Sequence, residues 1–570
     1  MNQRIFYFCL GCFFSLLSVT TFAVDSGQLL KQIEQEGNQI KPITTPPRVN
    51  PKDHVSPNTQ GTKVVIKHFQ FEGNTLITSA EIENYLSGYL NREITFDEIS
   101  LGVNSIATLY QKKGFLAKAS LPKQDITEGL VRVMIVEAKF GGAKFESDEK
   151  NTELHVKNDV MIGYIEANNR KGEALNLIRL DKSLLLLNEL PGVALTSALE
   201  AGEGVGETAV LIKAKNKPWV NGSVILDNWG SHSTGGQRFL AVANIQSPLR
   251  IGDRGDITFL HSRGSDYGKI GYNLPIGYQG LRVGANTSYL AYDVVPEQDT
   301  GSLHPRGNAT TYQLELSYPI YKAMETSLSV FSNYNQKYFL NKNDLGESSR
   351  NRNQLLALGL NGIQNNGWLK GGQTNALIEI DAGDLSRRNA TDYANDQNQT
   401  SGARTDGRFN IAKLNLSHTQ FILDQLSAVI KFNGQLADKN LDSSEKIYLG
   451  GPSGVRSYPA NEGAGSSGYI LNLEVRQELP YRTSVTGFYD FGYAKTYVDY
   501  ASSIVTGSTR NSFNMQGYGV SLDWNGPYQT LLSGMFSKRI GNNPNPSASG
   551  ADQNGGTHDY FFWLKGSVSF

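Results

Sequence analysis

The segment 468–479, GYILNLEVRQEL, alternates between apolar and polar side chains along its length. Its apolar face is Tyr469, Leu471, Leu473 and Val475, and its polar face is Asn472, Glu474, Arg476 and Glu478. A period of two predicts a β-strand. Because the second face is charged and not merely polar, the pattern is typical of a membrane barrel with lipid outside and water inside. The segment 311–318, TYQLELSY, has the same pattern.

Sixteen segments of this kind follow one another to the end of the chain. They lie near 219–228, 237–247, 255–263, 267–274, 281–293, 309–319, 326–338, 352–363, 372–383, 405–417, 425–437, 466–479, 483–496, 512–524, 528–540 and 558–570. Short connections that contain proline mostly alternate with longer ones, as periplasmic turns alternate with outer loops in such barrels. We therefore predict a 16-stranded antiparallel transmembrane β-barrel over residues 217–570, surrounded by outer-membrane lipid.

The last segment, YFFWLKGSVSF, is rich in aromatic residues and ends on Phe570. This composition favours an outer-membrane strand. We expect the barrel-assembly machinery to recognise the chain through Phe570. An even number of strands also places this end and the start of the barrel on the same, periplasmic, side.

Residues 62–216 combine helical and strand periodicities. Residues 62–138 predict the order β-α-α-β-β, with capping boxes at Thr78 and Glu81 and at Thr95 and Glu98. Residues 139–216 repeat that order loosely. Two tandem copies of one small α+β module are the economical interpretation.

The first residues indicate export. Residues 1–23 carry one positive charge, an apolar run and small residues before Val24, which is typical of a secretory signal peptide. A transmembrane anchor is the alternative, but the apolar run is short for one. Residues 24–39 predict a short amphipathic helix that Ser26 could cap, and residues 40–61, with five prolines, predict an extended linker.

Composition excludes several functions. Both cysteines, Cys9 and Cys12, lie in the signal-peptide segment, so the exported chain would have neither disulfides nor cysteine-based sites. The net charge of −1 gives no indication of nucleic-acid binding. The chain has no P-loop, G-x-S-x-G or H-E-x-x-H motif, so we expect no catalytic residue, cofactor or metal.

One glycine-rich stretch, 449–468, LGGPSGVRSYPANEGAGSSG, contains a single arginine, Arg456. Its end matches the dinucleotide fingerprint G-x-G-x-x-G, but that fingerprint must follow a strand and open a helix. Here it leads into a predicted strand, so a phosphate site is not expected. From the residues alone, Arg456 is better explained as an ordinary solvated loop charge, and Asp490 as an ordinary charge of the lumen.

Taken in order, these stretches resemble the outer-membrane transporters of two-partner secretion, which export large haemolysins, adhesins and contact-dependent inhibition toxins. The resemblance lies in IKHFQFEGNTLIT, IATLYQKKGFLAKASLPKQDITEGLVRVMIVEA, LNELPGVALTSALEAGEG, LDNWGSHSTGGQRF, LGGPSGVRSYPANEG and TGFYDFGYA. It implies a plug helix at 24–39, a linker, two polypeptide-transport-associated (POTRA) modules and a 16-stranded barrel. The same order was derived above from periodicity.

The resemblance also implies a role for Arg456. In this family the loop with the V-R-[GS]-[YF] motif, here Val455 to Tyr458 within loop 438–465, folds into the lumen, and its arginine contacts an acidic residue of the wall. The acidic residue would be Asp490 in GFYDFG. Alternation independently directs Asp490 inward, because a charge on the lipid face costs about 2–4 kcal/mol at the midplane. Serine stands at 457, where the family more often has glycine.

The implied function is a pore that moves an unfolded partner exoprotein, recognised by the POTRA modules, from the periplasm to the cell surface without nucleotide hydrolysis. An insertase of the same superfamily is the alternative, although insertases usually have more than two modules. A general porin or receptor is less favoured because it would lack the modules. The protein would lie in the outer membrane with its modules in the periplasm.

Overall fold

The computed structural model describes residues 24–37, 63–126, 128–147, 153–298, 303–399, 401–499, 511–544, 546 and 550–570. The predicted signal peptide and linker lie outside the described residues. The first described element is helix α1 (Ser26–Gly37). Among the described residues, no helix is both long and apolar enough to cross a membrane.

The first module is a small α+β unit. Its elements are β1 (Lys63–Val65), β2 (His68–Glu72), α2 (Ser79–Tyr85), β3 (Glu93–Thr95), α3 (Phe96–Lys112), β4 (Ala117–Ser120) and β5 (Leu130–Glu137). Strand β5 pairs in parallel with β2 and antiparallel with β4, and β1 pairs with β3. The capping box at Thr95 and Glu98 is present, whereas Thr78 only accepts a bond from the Glu81 N–H.

The order predicted for residues 62–138 places one strand before the first helix, but the structure has two, β1 and β2, because the chain changes partners between them. The Ile66 carbonyl accepts the Asn91 N–H at 2.8 Å, on the β3 side of the module. The next N–H, of Lys67, instead donates to the Gly129 carbonyl at 2.8 Å, beside β5. The alternation changes parity at the same point, since Lys67 and His68 are consecutive polar residues, so the break in the pattern was a usable signal for two strands.

The second module has the same topology. Its elements are β6 (Lys139–Ser147), α4 (Asn158–Glu166), α5 (Leu177–Asn188), β7 (Val193–Ala201) and β8 (Glu207–Asn216). Strand β8 lies between a parallel β6 and an antiparallel β7, as β5 lies between β2 and β4. Each module has its own apolar core beneath its helices.

The remaining chain forms a closed barrel of sixteen antiparallel strands, which confirms the predicted fold class. Its first eleven strands and one outer helix are β9 (Val220–Asp227), β10 (Arg238–Gln246), β11 (Arg254–Ser262), β12 (Ser265–Ile276), β13 (Leu281–Asp293), β14 (Arg306–Lys322), β15 (Thr326–Asn343), β16 (Gly346–Asn366), β17 (Gly372–Arg387), α6 (Ala390–Asp396), β18 (Gly407–Leu423) and β19 (Leu426–Ala437). After two short strands, β20 (Ile447–Tyr448) and β21 (Ala464–Gly465), the barrel continues with β22 (Ser467–Leu479), β23 (Thr483–Lys495), β24 (Ser512–Asn525), β25 (Thr530–Arg539) and β26 (Tyr560–Ser569). Strand β26 closes the barrel by pairing with β9.

Several middle strands extend beyond their predicted ends. Strand β16 begins at Gly346, six residues before the predicted start at 352. The added residues, GESSRN, are polar on both faces. Alternation marks a strand only where one face meets lipid, so it does not detect the part that leaves the membrane.

The outer and inner faces of the barrel wall carry apolar and polar side chains, respectively, as segment 468–479 predicts. In β22, Leu473 and Val475 are exposed on the outer surface, whereas Asn472 is buried in the lumen. The ring of Tyr469 packs against those of Phe491 and Tyr493 on the outside, with centroids 5.8 and 5.7 Å away. Residues 438–466 and helix α1 occupy the inside.

Candidate functional site

The inner loop, residues 438–466 between β19 and β22, folds back into the barrel. Strands β20 and β21 pair within it. An apolar cluster fixes it to the wall: Ile447, Leu449, Val455, Tyr458, Ile470, Ala494, Phe513 and Met515. The fold of the loop requires glycine at 454, because a Cβ there would lie 2.0 Å from the Leu449 carbonyl oxygen.

The inner loop places Arg456 against Asp490 of β23. The Nε and Nη2 groups of Arg456 donate to the two carboxylate oxygens of Asp490 at 2.9 and 2.6 Å. The backbone N–H of Arg456 donates to the same carboxylate at 3.0 Å. Asp490 is fully buried and Arg456 is 7% exposed. A bidentate pair of this kind is strong and directional.

Further groups, which the sequence did not single out, complete the contact. Glu474 lies 3.0 Å from the Arg456 Nη1, and the ring of Phe488 lies 3.5 Å beneath the guanidinium. The Arg456 carbonyl accepts hydrogen bonds from the Ser537 hydroxyl and the Trp563 indole at 2.7 and 2.8 Å. The inward parity of Glu474 was a usable signal. Nothing local in the sequence indicates Ser537 or Trp563.

The neighbours of Arg456 pack against different strands of the wall. Val455 is fully buried against Gly492, where a Cβ would lie 2.9 Å from its methyl group. The ring of Tyr458 lies 4.2 Å below the guanidinium of Arg539 on β25. Ser457 is not among the described residues with positive φ, and its hydroxyl fills the space where Gly517 lacks a side chain. The backbone at 457 therefore does not require glycine.

The inner loop also contacts the connection between β25 and β26. The buried carboxylate of Glu462 accepts the Gln553 N–H at 2.8 Å and the Asn543 amide at 3.1 Å. Asp552 in that connection pairs with Arg539 at 2.5 Å. The same arginine that covers Tyr458 thus joins the inner loop to an outer loop.

Helix α1 lies in the lumen against the opposite part of the wall. Leu29 and Leu30 are buried with wall residues of β11 to β15, namely Leu260, Tyr267, Leu290, Tyr292, Ala309 and Phe339. Asp25 caps the helix by accepting the Gln28 N–H at 2.8 Å. Ser26, the expected cap, instead occupies the first turn, because the Asp25 carboxylate precedes it and satisfies the free N–H.

Ion pairs hold the remainder of α1. Glu34 lies 3.0 Å from Lys337 of β15, and Glu36 lies 2.8 Å from Arg238 of β10. Removal of α1 would take one carboxylate partner from each of these wall cations, but Arg238 would keep Asp227 at 2.9 Å and Lys337 would keep Glu445 at 3.2 Å.

The inner loop contacts α1 as well as the wall. Glu445 lies 3.6 Å from Lys31 of α1 and 3.2 Å from Lys337 of the wall. The Asn461 amide donates to Gln32 at 2.9 Å. Glu445 is therefore shared between the helix, the loop and the wall, and displacement of any one of them changes its partners.

Comparisons with known proteins agree with this architecture. The family model described as "Haemolysin secretion/activation protein ShlB/FhaC/HecB" matches residues 206–511, more than half of the chain, and the model "POTRA domain, ShlB-type" matches residues 64–138. The heme/hemopexin transporter protein HuxB of Haemophilus influenzae is 27% identical over 91% of this chain and 92% of its own length. The outer membrane transporter CdiB of Dickeya dadantii is 24% identical over 75% of each chain. The solved structure of CdiB from Escherichia coli has the same fold, with a TM-score of 0.71 and 17% identity over 96% of this chain and 99% of that one.

Proposed function

This chain belongs to the haemolysin secretion/activation family of the ShlB/FhaC/HecB type, and we propose that its lumen is gated by two separate elements, helix α1 and the inner loop. It is an outer-membrane transporter of two-partner secretion, with its POTRA module in the periplasm. The observation that carries the proposal is the occupied lumen, in which α1 and the inner loop contact different parts of one wall and each other.

Transport begins, in this proposal, with an unfolded exoprotein that binds the modules. Strand β2 pairs with β5 on one side only, and an open strand edge can accept an extended polypeptide by β-augmentation. Helix α1 then leaves the lumen on the linker, which lets it move without unfolding the modules. Residues 24–39 are thus the plug, and folding of the exoprotein outside supplies the direction.

The contact of Arg456 with Asp490, which we call the latch, holds the inner loop during rest. Val455 and Tyr458 anchor the loop on either side of it. Rearrangement of the latch widens the path after the plug has left. No step requires a catalytic residue, a cofactor or nucleotide hydrolysis.

The first cargo to test is a large exported protein encoded by a neighbouring open reading frame, and the absence of such a frame would count against the proposal. Because the relative matched over 91% of the chain is named for heme/hemopexin transport, haem and hemopexin are the first ligands to try on the secreted product. The test expresses the neighbouring exoprotein with and without this chain and measures the amount in the medium. Secretion that does not depend on this chain would overturn the proposal. If other outer-membrane barrels assemble only when this chain is present, the insertase is favoured instead.

A further inference from the structure

A cavity of about 340 Å³ lies between the second module and the periplasmic end of the barrel wall. Residues of α5 and the turn after it, among them Leu186, Glu189 and Leu190, form one side. Strands β11 to β15 form the other side, with Arg254, Asn273, Arg282, Ser317, Tyr318, Lys322 and Ser329. Polar and charged groups therefore dominate the barrel side of this cavity.

The two arginines of the cavity, Arg254 and Arg282, point toward the lumen. In β13 the even-numbered positions face inward, since Leu290 packs against α1 and Arg282 has the same parity. In β11 the same argument applies to Leu260 and Arg254. Strand register places Arg254 opposite Asn273. The cavity therefore opens at the entrance to the pore and not on the lipid-facing surface.

Its charge is unbalanced. Three cations, Arg254, Arg282 and Lys322, line the cavity, with Glu189 as the one carboxylate. Lys322 contacts Glu189, and Arg254 lies 2.9 Å from Asp256. Within the described part of the chain, no carboxylate lies within ion-pair distance of Arg282.

Within the described residues, the Arg282 side chain makes two hydrogen bonds, so several of its N–H groups remain available to a ligand. Its Nε donates to the Asn273 side chain and its Nη2 donates to the Gly252 carbonyl at 3.1 Å. These neutral acceptors orient the group, and the nearest carboxylates, of Asp253 and Glu189, lie beyond ion-pair distance from it. An oriented arginine with free N–H groups in a concave polar site is suited to bind a carboxylate.

The second module is firmly placed over this entrance. The Lys157 N–H donates to the Arg250 carbonyl at 3.0 Å, and Tyr164 and Tyr278 make an edge-to-face contact at 5.5 Å. Leu190 packs against Gly252, where a Cβ would lie 2.6 Å from its methyl group. A chain that passes from the modules to the lumen on this side meets the cavity at the barrel entrance.

We propose that Arg282, with Arg254, binds aspartate or glutamate side chains of the exoprotein as its extended chain enters the pore. The proposal rests on the proposed transport function and adds a chemical preference to it. The exoprotein would pause when one of its acidic residues reaches this entrance site. Its contact with Arg282 would orient the extended exoprotein before it passes the plug.

The test uses the full-length chain in detergent and two fluorescein-labelled 12-residue peptides. One peptide alternates glutamate with threonine, and the other has glutamine in place of glutamate. We expect the acidic peptide to bind at least about tenfold more tightly, which corresponds to about 1.4 kcal/mol. Arg282→Gln should remove most of that preference and Arg282→Lys should keep part of it, whereas Arg350→Gln, in the outer part of β16, should leave it unchanged.

Equal binding of the two peptides, or full preference in Arg282→Gln, would overturn the inference. Displacement of the acidic peptide by phosphatidylglycerol micelles at lower concentration than by free acidic peptide would also overturn it, in favour of a lipid headgroup. Heat-modifiable gel migration verifies that each variant is folded. If wild-type secretion is normal and the peptide test is negative, only this inference fails; if secretion fails, the transport proposal fails independently of it.

Discussion

The latch and the plug are held in the same lumen by different means. Every backbone and side-chain polar group of Arg456 has a partner, and its guanidinium lies over an aromatic ring. Helix α1 instead packs Leu29 and Leu30 into one apolar cluster of the wall and adds ion pairs and single hydrogen bonds at separate points along its length. The latch is therefore built to stay in one geometry, and the plug is built so that its contacts can be broken one at a time.

Removal of the plug should have the largest effect on the pore. Deletion of residues 24–39 should raise single-channel conductance several-fold, because the helix occupies the lumen, while the latch keeps the barrel folded. Planar-bilayer recording measures this directly. Gln35→Ala, on a less buried part of α1, is the matched control. Unchanged conductance in the deletion would show that α1 does not close the pore.

Breaking the latch should lower the stability of the folded barrel, and it should not by itself open the pore. Arg456→Ala leaves the carboxylate of Asp490 buried without its main partner, a change that costs about 3–5 kcal/mol. We expect secretion to fall at least roughly tenfold, which corresponds to about 1.4 kcal/mol and is well within that cost. The measurements are secreted exoprotein per folded barrel and the temperature at which gel migration changes.

Arg476→Ala is the control for the latch, because Arg476 lies on β22, two residues from Glu474, and pairs with Glu478 at 2.8 Å. It should behave like the wild type. If Arg456→Ala secretes normally, the latch has no role in transport, and the contrast between the two regions is one of stability alone.

Glu445 joins the two regions, so its replacement should have an intermediate effect. Glu445→Gln removes the charge that Lys31 and Lys337 share, and loss of a charged hydrogen-bond partner costs about 1.5–3 kcal/mol. We expect more frequent plug opening in bilayers without loss of secretion. Asp424→Asn in an exposed periplasmic turn is the control. An opening frequency equal to that of the wild type would show that the plug does not depend on its contact with the inner loop.

Ser457→Gly should have the smallest effect. The backbone at 457 is ordinary, so glycine adds flexibility without relieving strain, and only the contact with Gly517 is lost. Secretion should stay within about twofold of the wild type, since a glycine costs about 0.5–1 kcal/mol in a fixed position. A large loss would show that the serine, and not the motif arginine alone, positions the loop.

The sequence by itself determined the elements that depend on local pattern. Strand number, the inward parity of Asp490 and Glu474, and the helices of both modules follow from periods of 2 and 3.6 and from caps such as Thr95. These signals act over a few residues, so they appear in any stretch taken alone. They failed where the signal ended, as in the polar extension of β16.

Only the tertiary structure decided what meets in the lumen. The partners of Arg456 lie 18, 34, 81 and 107 residues away, at Glu474, Asp490, Ser537 and Trp563. Barrel closure brings these strands together, and the entropy of closing such loops leaves no local trace in the sequence. The same holds for Glu445 between plug and wall and for Arg282 beneath the second module, whose partners are set by the closed barrel as a whole.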